Sequence, residues 1–174
     1  LKLKRVGEQL LIASQPVAEL SSVKSKPVII ENISVNGTVD IAKKTGKIKF
    51  PCRLNLSLDV IKDFSVVISN DIGEELLIGY DKKQNQYFVD RTKSGKTSFQ
   101  KDFAARHFAP RFTANTKMNL SLIIDVSSIE LFADDGLTVM TGIFFPNKPY
   151  NKLQFQSAEK VLIKKMEYAT LKNK

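Results

Sequence analysis

Strict alternation of apolar and polar side chains over residues 50–60 constrains this chain more than any other feature of its sequence. Every even position in that segment is apolar and most odd positions are polar. Because successive side chains of a β-strand point to opposite faces, the pattern predicts a strand with one face in a core and the other in water. Residues 64–68, 76–80 and 120–126 repeat the period. Such strands bury their apolar faces when two sheets pack together.

Short polar links separate several of these apolar runs and predict antiparallel hairpins. Residues 81–85 form one such link, and an Asp-Asp-Gly turn at 134–136 forms another. Asp-Gly between apolar runs is a strong hairpin signal, and no link is long enough to hold a crossover helix. Further strands are predicted at residues 87–91, 129–133, 137–145, 153–156 and 161–168.

The remaining segments carry a weaker signal for secondary structure. Residues 17–23 and 102–108 are each predicted to form one or two helical turns, and the polar, basic segment 93–109 is predicted to cross a sheet edge. Turn signals recur roughly every 8–12 residues, as they do in sandwiches. The sequence therefore predicts an all-β fold, a two-sheet antiparallel β-sandwich of the jelly-roll or concanavalin-like kind.

Length and composition are those of one globular domain. The chain has 174 residues, of which 43% are hydrophobic, which is enough for a core without disulfides or metals. It contains no apolar run of the ~18 residues that a membrane-spanning helix needs. The first residue is Leu rather than Met, so we expect a piece of a larger protein whose export signal, if it has one, was left behind.

The positive charge predicts a lysine-covered surface rather than a nucleic-acid site. The formal net charge is +9, from 27 basic and 18 acidic residues, yet only five of the basic residues are Arg. Arg is the residue that commonly contacts phosphates and bases in nucleic-acid sites, and the Lys residues here are scattered along the chain. Neither nucleic acid nor a membrane span is therefore predicted. The single cysteine, Cys52, lies on the apolar side of a predicted strand and is interpreted as a small buried hydrophobe.

Residue types that carry catalysis are scarce. His107 is the only histidine, so neither a catalytic triad nor a zinc site of the usual kind is predicted. Glu74 and Glu75 are neighbours whose side chains would point to opposite faces of a strand, so they cannot flank one glycosidic bond. The acidic pair at 134–135 fits the chemistry of a tight turn. The sequence predicts no catalytic residue, no metal and no cofactor.

Aromatic side chains offer little surface on which a sugar would stack. The sequence has no Trp and four Tyr. Tyr80, Tyr87 and Tyr168 occupy strand positions that a core would take, as most Phe residues should. Tyr150 lies outside the predicted strands and is the one candidate for a sugar contact.

Four sequence motifs together carry a family resemblance. Residues 15–20 read Gln-Pro-Val-Ala-Glu-Leu, and residues 90–95 read Asp-Arg-Thr-Lys-Ser-Gly. Residues 125–136 read Asp-Val-Ser-Ser-Ile-Glu-Leu-Phe-Ala-Asp-Asp-Gly, and a Thr before Phe-Phe-Pro follows at 141–146. In this order the motifs resemble the C-terminal β-sandwich of glycoside hydrolase family 32, which includes invertases, levanases and inulinases.

The resemblance implies an ancillary module without the active site. In that family an N-terminal five-bladed propeller carries the catalytic carboxylates, and its Arg-Asp-Pro and Glu-Cys motifs are absent here. Residues 1–20 would be the linker and first strand leaving that domain, and residues 21–174 the β-sandwich domain. The Asp90-Arg91 pair is expected to anchor the loop 92–110. The residues assigned a structural or domain-interface role are Asp90, Arg91, Ser94, Asp125, Ser128 and Glu130.

The predicted function is that of a non-catalytic C-terminal module that stabilises the propeller of a retaining β-fructosidase acting on levan, inulin or sucrose. An apolar patch for the propeller should then be exposed. The parent is expected to be secreted, periplasmic or on the cell surface, of bacterial type, with fructan oligosaccharides as a second partner. Three alternatives stay open: a lectin-like carbohydrate-binding module, a domain that dimerises through a sheet edge, and a basic nucleic-acid binder.

Overall fold

The computed structural model describes residues 1–172, which form twelve β-strands, two single-turn helices and one 3-10 turn. The strands are β1 (Lys2–Val6), β2 (Gln9–Ala13), β3 (Val28–Asp40), β4 (Cys52–Leu58), β5 (Phe64–Ser69), β6 (Glu75–Asp81), β7 (Gln86–Lys93), β8 (Arg106–Pro110), β9 (Met118–Ile124), β10 (Ser128–Ala133), β11 (Thr138–Ile143) and β12 (Lys152–Thr170). The helices are α1 (Leu20–Val23) and α2 (Ala42–Thr45), and the 3-10 turn covers Asp134–Gly136.

Two antiparallel sheets share the long strands β3 and β12. The first sheet has the order β11–β10–β9–β4–β12–β3, and the second has the order β3–β12–β5–β6–β7–β8. β12 pairs with β5 over residues 152–156 and with β4 over residues 163–170. Its pairing with β3 is irregular between Ser157 and Val161. A register irregularity of this kind bends a strand, so the paired strands β3 and β12 serve both sheets.

The core lies between the inner faces of the two sheets. In β4 the alternation is fully realised, because Cys52, Leu54, Leu56 and Leu58 are buried while the side chains between them are only half-buried. Burying a leucine side chain stabilises a fold by about 1.5–3 kcal/mol relative to leaving it exposed. Burial also raises the pKa of the Cys52 thiol to about 12, so the thiolate is scarce at neutral pH. The interpretation of Cys52 as a buried hydrophobe is confirmed.

A buried ion pair joins the two sheets on the side opposite their shared strands. Arg111, directly after β8, donates from Nε to Asp134 Oδ2 at 2.8 Å and from Nη2 to Oδ1 at 3.2 Å. Tyr87 of β7 donates its hydroxyl to Asp134 Oδ2 at 2.8 Å. The guanidinium also donates to three carbonyls of the loop 113–117. A buried ion pair is tolerated when its remaining polar atoms are bonded in this way.

The structure confirms the two-sheet antiparallel sandwich and both predicted hairpins. Residues 81–85 connect β6 to β7, and the turn at Asp134–Gly136 connects β10 to β11. The short helix α1 lies inside the predicted segment 17–23. In the part of the chain that the structure covers, no helix is long and apolar enough to cross a bilayer.

The structure differs from the predicted secondary structure in four details. The helical turns expected at 102–108 are absent, since residues from Arg106 onward form the edge strand β8 beside β7. The runs 153–156 and 161–168 are parts of the single bent strand β12. The N-terminal linker contains a complete hairpin, β1 and β2, rather than one strand. β3 is missed altogether, because exposed residues interrupt its alternation.

Candidate functional site

An exposed apolar face on the N-terminal hairpin is the clearest interaction surface of the molecule. β1 and β2 form a separate two-stranded sheet in which Leu3 is the register partner of Ile12. These two side chains are 70% and 64% exposed, and Leu1 and Leu10 beside them are also largely exposed. A two-stranded hairpin is at best marginally stable in water by itself. The face formed by Leu1, Leu3, Leu10 and Ile12, named here the hairpin face, therefore lacks the cover that such a surface normally has.

The opposite side of the hairpin is fastened to the sandwich. Ala13 is fully buried, and Lys4 lies 3.3 Å from the Asp135 carboxylate. The backbone amide of Ser14 donates to the Gly136 carbonyl at 2.9 Å. Gly136 has a φ of +84°, and a Cβ added there would lie 1.8 Å from the Ser14 carbonyl oxygen. Only glycine combines this conformation with this close approach, so the Asp-Asp-Gly turn positions the hairpin.

Asp90 organises the polar cluster at the end of β7. Its Oδ1 accepts hydrogen bonds from Thr92 N at 3.0 Å and Thr92 Oγ1 at 2.7 Å, and its Oδ2 accepts from Arg106 Nε at 2.8 Å. Burial opposes ionisation of this carboxyl, but the hydrogen bonds from Thr92 and Arg106 outweigh burial and lower its pKa. Asp90 therefore connects the end of β7 to the start of β8 through Thr92 and Arg106.

Arg91 and Ser94 hold the same loop from its other side. The Arg91 guanidinium stacks 4.1 Å from the centre of the Phe103 ring, and Nη1 donates to the Ile143 carbonyl of β11 at 3.4 Å. Ser94 is fully buried and donates its hydroxyl to the Arg91 carbonyl at 2.9 Å. Its own carbonyl accepts the hydroxyl of Tyr150 at 3.0 Å. These contacts give all three residues of the predicted motif a place in one loop anchor.

Tyr150 lies inside the molecule. The residue is 7% exposed, and its ring packs 5.4 Å from that of Phe144. Burial raises the pKa of its hydroxyl. A sugar platform needs an open aromatic face, and this ring offers little of one. The sugar contact of Tyr150 stays a prediction that the geometry does not favour.

The three predicted residues of the second motif lie on the turn between β9 and β10 and on β10 itself. Asp125 is exposed, and its Oδ1 accepts a hydrogen bond from Val126 N at 2.7 Å, while its backbone amide donates to the Ser128 carbonyl. Ser128 begins β10, and Glu130 is the register partner of Thr141 on β11 and of Ile123 on β9. Asp125 thus caps a tight β9–β10 turn at the surface, rather than joining a buried network.

A buried arginine that no sequence pattern marks is also part of the fold. Arg111 has a side chain 1% exposed and ties the two sheets through Asp134. Its neighbours in sequence show no alternation and no motif that would mark it. The Asp-Asp-Gly turn identifies the position of Asp134, but not its partner 23 residues away. Within residues 1–172, no group of three or more His, Cys, Asp or Glu is arranged to hold a metal ion.

Comparison with known proteins gives a consistent family. Residues 18–170 match the family described as Glycosyl hydrolases family 32 C terminal. An extracellular exo-inulinase from Aspergillus niger is 33% identical over 156 residues, which cover 84% of this chain and 28% of the relative. A levanase from Bacillus subtilis (strain 168) is 27% identical over 162 residues, covering 91% of this chain and 24% of the relative. The chain therefore spans less than a third of the length of these curated relatives.

Solved structures show the same fold. The crystal structure of exo-inulinase from Aspergillus awamori superposes with a TM-score of 0.81 at 24% identity, covering 98% of this chain and 34% of that one. A fructofuranosidase from Schwanniomyces occidentalis superposes with a TM-score of 0.78 at 17% identity over 95% of this chain and 37% of that one. With the family match over residues 18–170, these likenesses lead to one conclusion: the chain belongs to glycosyl hydrolase family 32, as its C-terminal β-sandwich domain.

Proposed function

We propose that this domain is a non-catalytic module that packs against, and stabilises, the N-terminal propeller of a β-fructosidase. The observation that carries the proposal is the hairpin face, whose four large apolar side chains are exposed on a hairpin that the sandwich holds from one side only. The hairpin precedes the residues that match the family domain. This position supports a role for the hairpin at a junction with the propeller.

The names of the relatives support a proposal for the reaction of the parent enzyme. These relatives are named exo-inulinase and levanase, and one that matches over a shorter stretch is named sucrose-6-phosphate hydrolase. The parent would hydrolyse fructans or sucrose through a carboxylate nucleophile and a carboxylic acid/base, both outside this chain. An extracellular location is proposed because several relatives carry that word in their names.

The test uses the two-domain polypeptide and the double variant Leu3→Ser/Ile12→Ser. If the hairpin face packs against the propeller, burying two hydroxyls in place of apolar groups will lower the melting temperature of the propeller and its hydrolysis of levan and inulin after mild heating. Ile72→Ser is the matched control, because Ile72 is also an exposed isoleucine but lies in the β5–β6 turn. Equal melting temperatures for the double variant, the control and the wild type would rule out packing through this face.

A further inference from the structure

A groove crosses the outer face of the first sheet. It has a volume of about 460 Å³, and its floor is made by β12, β4, β9 and β10. Binding sites for small ligands usually have volumes of ~300–1,000 Å³. The segment Gln15–Pro16, which leaves the N-terminal hairpin, and the turn residues Asp135 and Gly136 form one wall. The groove therefore lies beside the family motif that begins at Gln15.

The floor of the groove is a straight row of side chains across four strands. Glu167 is the register partner of Asn55, Asn55 of Ser121, and Ser121 of Phe132. Neighbouring strands are ~4.8 Å apart, so the row is roughly 14 Å long. The row thus places three polar side chains at regular spacing beside one aromatic ring, Phe132, at its end.

Hydrogen bonds within the row, and from Arg53 beside it, hold these side chains in place. Arg53 Nε donates to Asn55 Oδ1 at 3.1 Å and to Ser121 Oγ at 3.0 Å. Asn55 Nδ2 donates to Glu167 Oε2 at 3.1 Å. An amide has two donor hydrogens and two lone pairs, and a guanidinium has five donor hydrogens, so each of these groups keeps bonding capacity for a ligand. Side chains that are already ordered lose less entropy when a ligand binds.

The net charge of the groove limits the classes of ligand that it can bind. The ionisable side chains that line the groove are Arg53, Lys165, Glu167 and Asp135, so the formal charge of the groove is zero although the chain carries +9. Phosphate or nucleic acid would require a surplus of cations. A protein interface would require an apolar centre, whereas the centre of this groove is made of amides and hydroxyls.

We propose that this groove binds a neutral oligosaccharide. Asn55 and Ser121 would bond to sugar hydroxyls along the floor, Gln15 would bond from the wall, and the Phe132 ring would pack against the apolar C–H face of one sugar unit. This is the concave, polar sheet face with an aromatic that a lectin-like module needs. That the sugar is a fructan rests on the proposed function of the parent enzyme.

The experiment is calorimetric titration of the 174-residue chain with neutral oligosaccharides of the levan, inulin, malto and cello types. We expect micromolar to millimolar binding of at least one type, and at least tenfold weaker binding by the double variant Asn55→Ala/Ser121→Ala. Asn151→Ala is the matched control. Asn151 is an exposed amide directly before β12, far from Asn55 in sequence, and it donates a hydrogen bond to Asp71. The affinity of this control variant should equal that of the wild type.

Three results would overturn the proposal that this groove binds an oligosaccharide. They are absence of heat with a folded chain, equal affinity of the double variant and the wild type, and loss of binding in the two-domain polypeptide, which would show that the propeller covers the groove. A groove-dependent preference for levan or inulin types would support the fructan assignment. Binding of malto or cello types alone would support the groove as a sugar site but count against a fructan as its ligand. The melting-temperature test of the hairpin face does not depend on any of these results.

Discussion

Two polar clusters in this domain contain the same kinds of side chain but differ in their exposure to water. Each contains an arginine, a carboxylate and a neutral hydrogen-bonding partner. In the first, Arg111, Asp134 and Tyr87 are buried and join the two sheets. In the second, Arg53, Asn55 and Glu167 lie on the outer face of one sheet and face an open groove. The comparison separates polar groups that hold the fold from polar groups that remain available to a ligand.

Burial decides which of these roles a cluster takes. Removing one partner from a dry ion pair leaves an uncompensated charge in the interior, whereas water replaces a lost partner at the surface. Burial and the Asp134 carboxylate together raise the pKa of the Tyr87 hydroxyl, so Tyr87 stays a donor at any ordinary pH. The first cluster is therefore fixed in one arrangement, and the second can exchange its internal bonds for bonds to a ligand.

The largest effect is expected from Asp134→Asn. The amide keeps the size and the left-handed φ of +51°, which Asn tolerates, but removes the charge that compensates Arg111. Breaking a buried pair costs about 3–5 kcal/mol, which corresponds to a melting temperature lower by roughly 6–20 °C. Asp135→Asn is the control, because Asp135 has a similar φ and only a surface contact with Lys4. Equal melting temperatures of the two variants would show that the buried pair contributes little.

A smaller loss is expected from Gly136→Ala, which tests how the hairpin is fastened. Gly136 and Gly73 both have a φ of +84°, but a Cβ at Gly73 would meet nothing within 4 Å. Gly73→Ala therefore reports the backbone strain alone, about 1 kcal/mol, and Gly136→Ala adds the clash with Ser14, on the order of 1–3 kcal/mol. Hydrogen exchange at the Ser14 amide should accelerate in Gly136→Ala only. Unchanged exchange there would mean that the hairpin is held by other contacts.

Sequence patterns locate the strands and turns of this domain better than its long-range polar contacts. The period of two in residues 50–60 becomes β4 because its cause, one dry face and one wet face, is local. The Asp-Asp-Gly turn is predictable for the same reason. Arg111 is not, since its partner Asp134 lies beyond β10 and is shared with Tyr87 of β7, and only the packing of the two sheets brings these residues together. The groove is predictable in part, because Asn55 and Ser121 stand at polar positions of alternating strands, while their register is set by the fold.

Asp90→Asn should make the stability of the domain less dependent on pH. The pKa of Asp90 is lowered in the folded state, so the ionised carboxylate stabilises the fold above the unfolded value of about 3.9. That contribution disappears as the pH falls through the lower, folded pKa. The variant should therefore be less stable than the wild type by about 1–3 kcal/mol at pH 7, and the difference should shrink at pH values below about 4. A difference that stays constant between pH 7 and pH 2.5 in urea unfolding would contradict this account.

The smallest effect on stability is expected in the groove, and it is the one that separates binding from folding. Asn55→Ala/Ser121→Ala removes two partners of Arg53, but water can reach the groove and replace them, so the free energy of unfolding should change by less than about 1 kcal/mol. The same double variant is expected to lose most of its affinity for the oligosaccharide. Urea unfolding and titration of one preparation would measure both quantities. If unfolding weakens as much as it does in Asp134→Asn, the groove cluster is part of the fold after all, and the contrast between a structural and a ligand-facing arginine cluster fails.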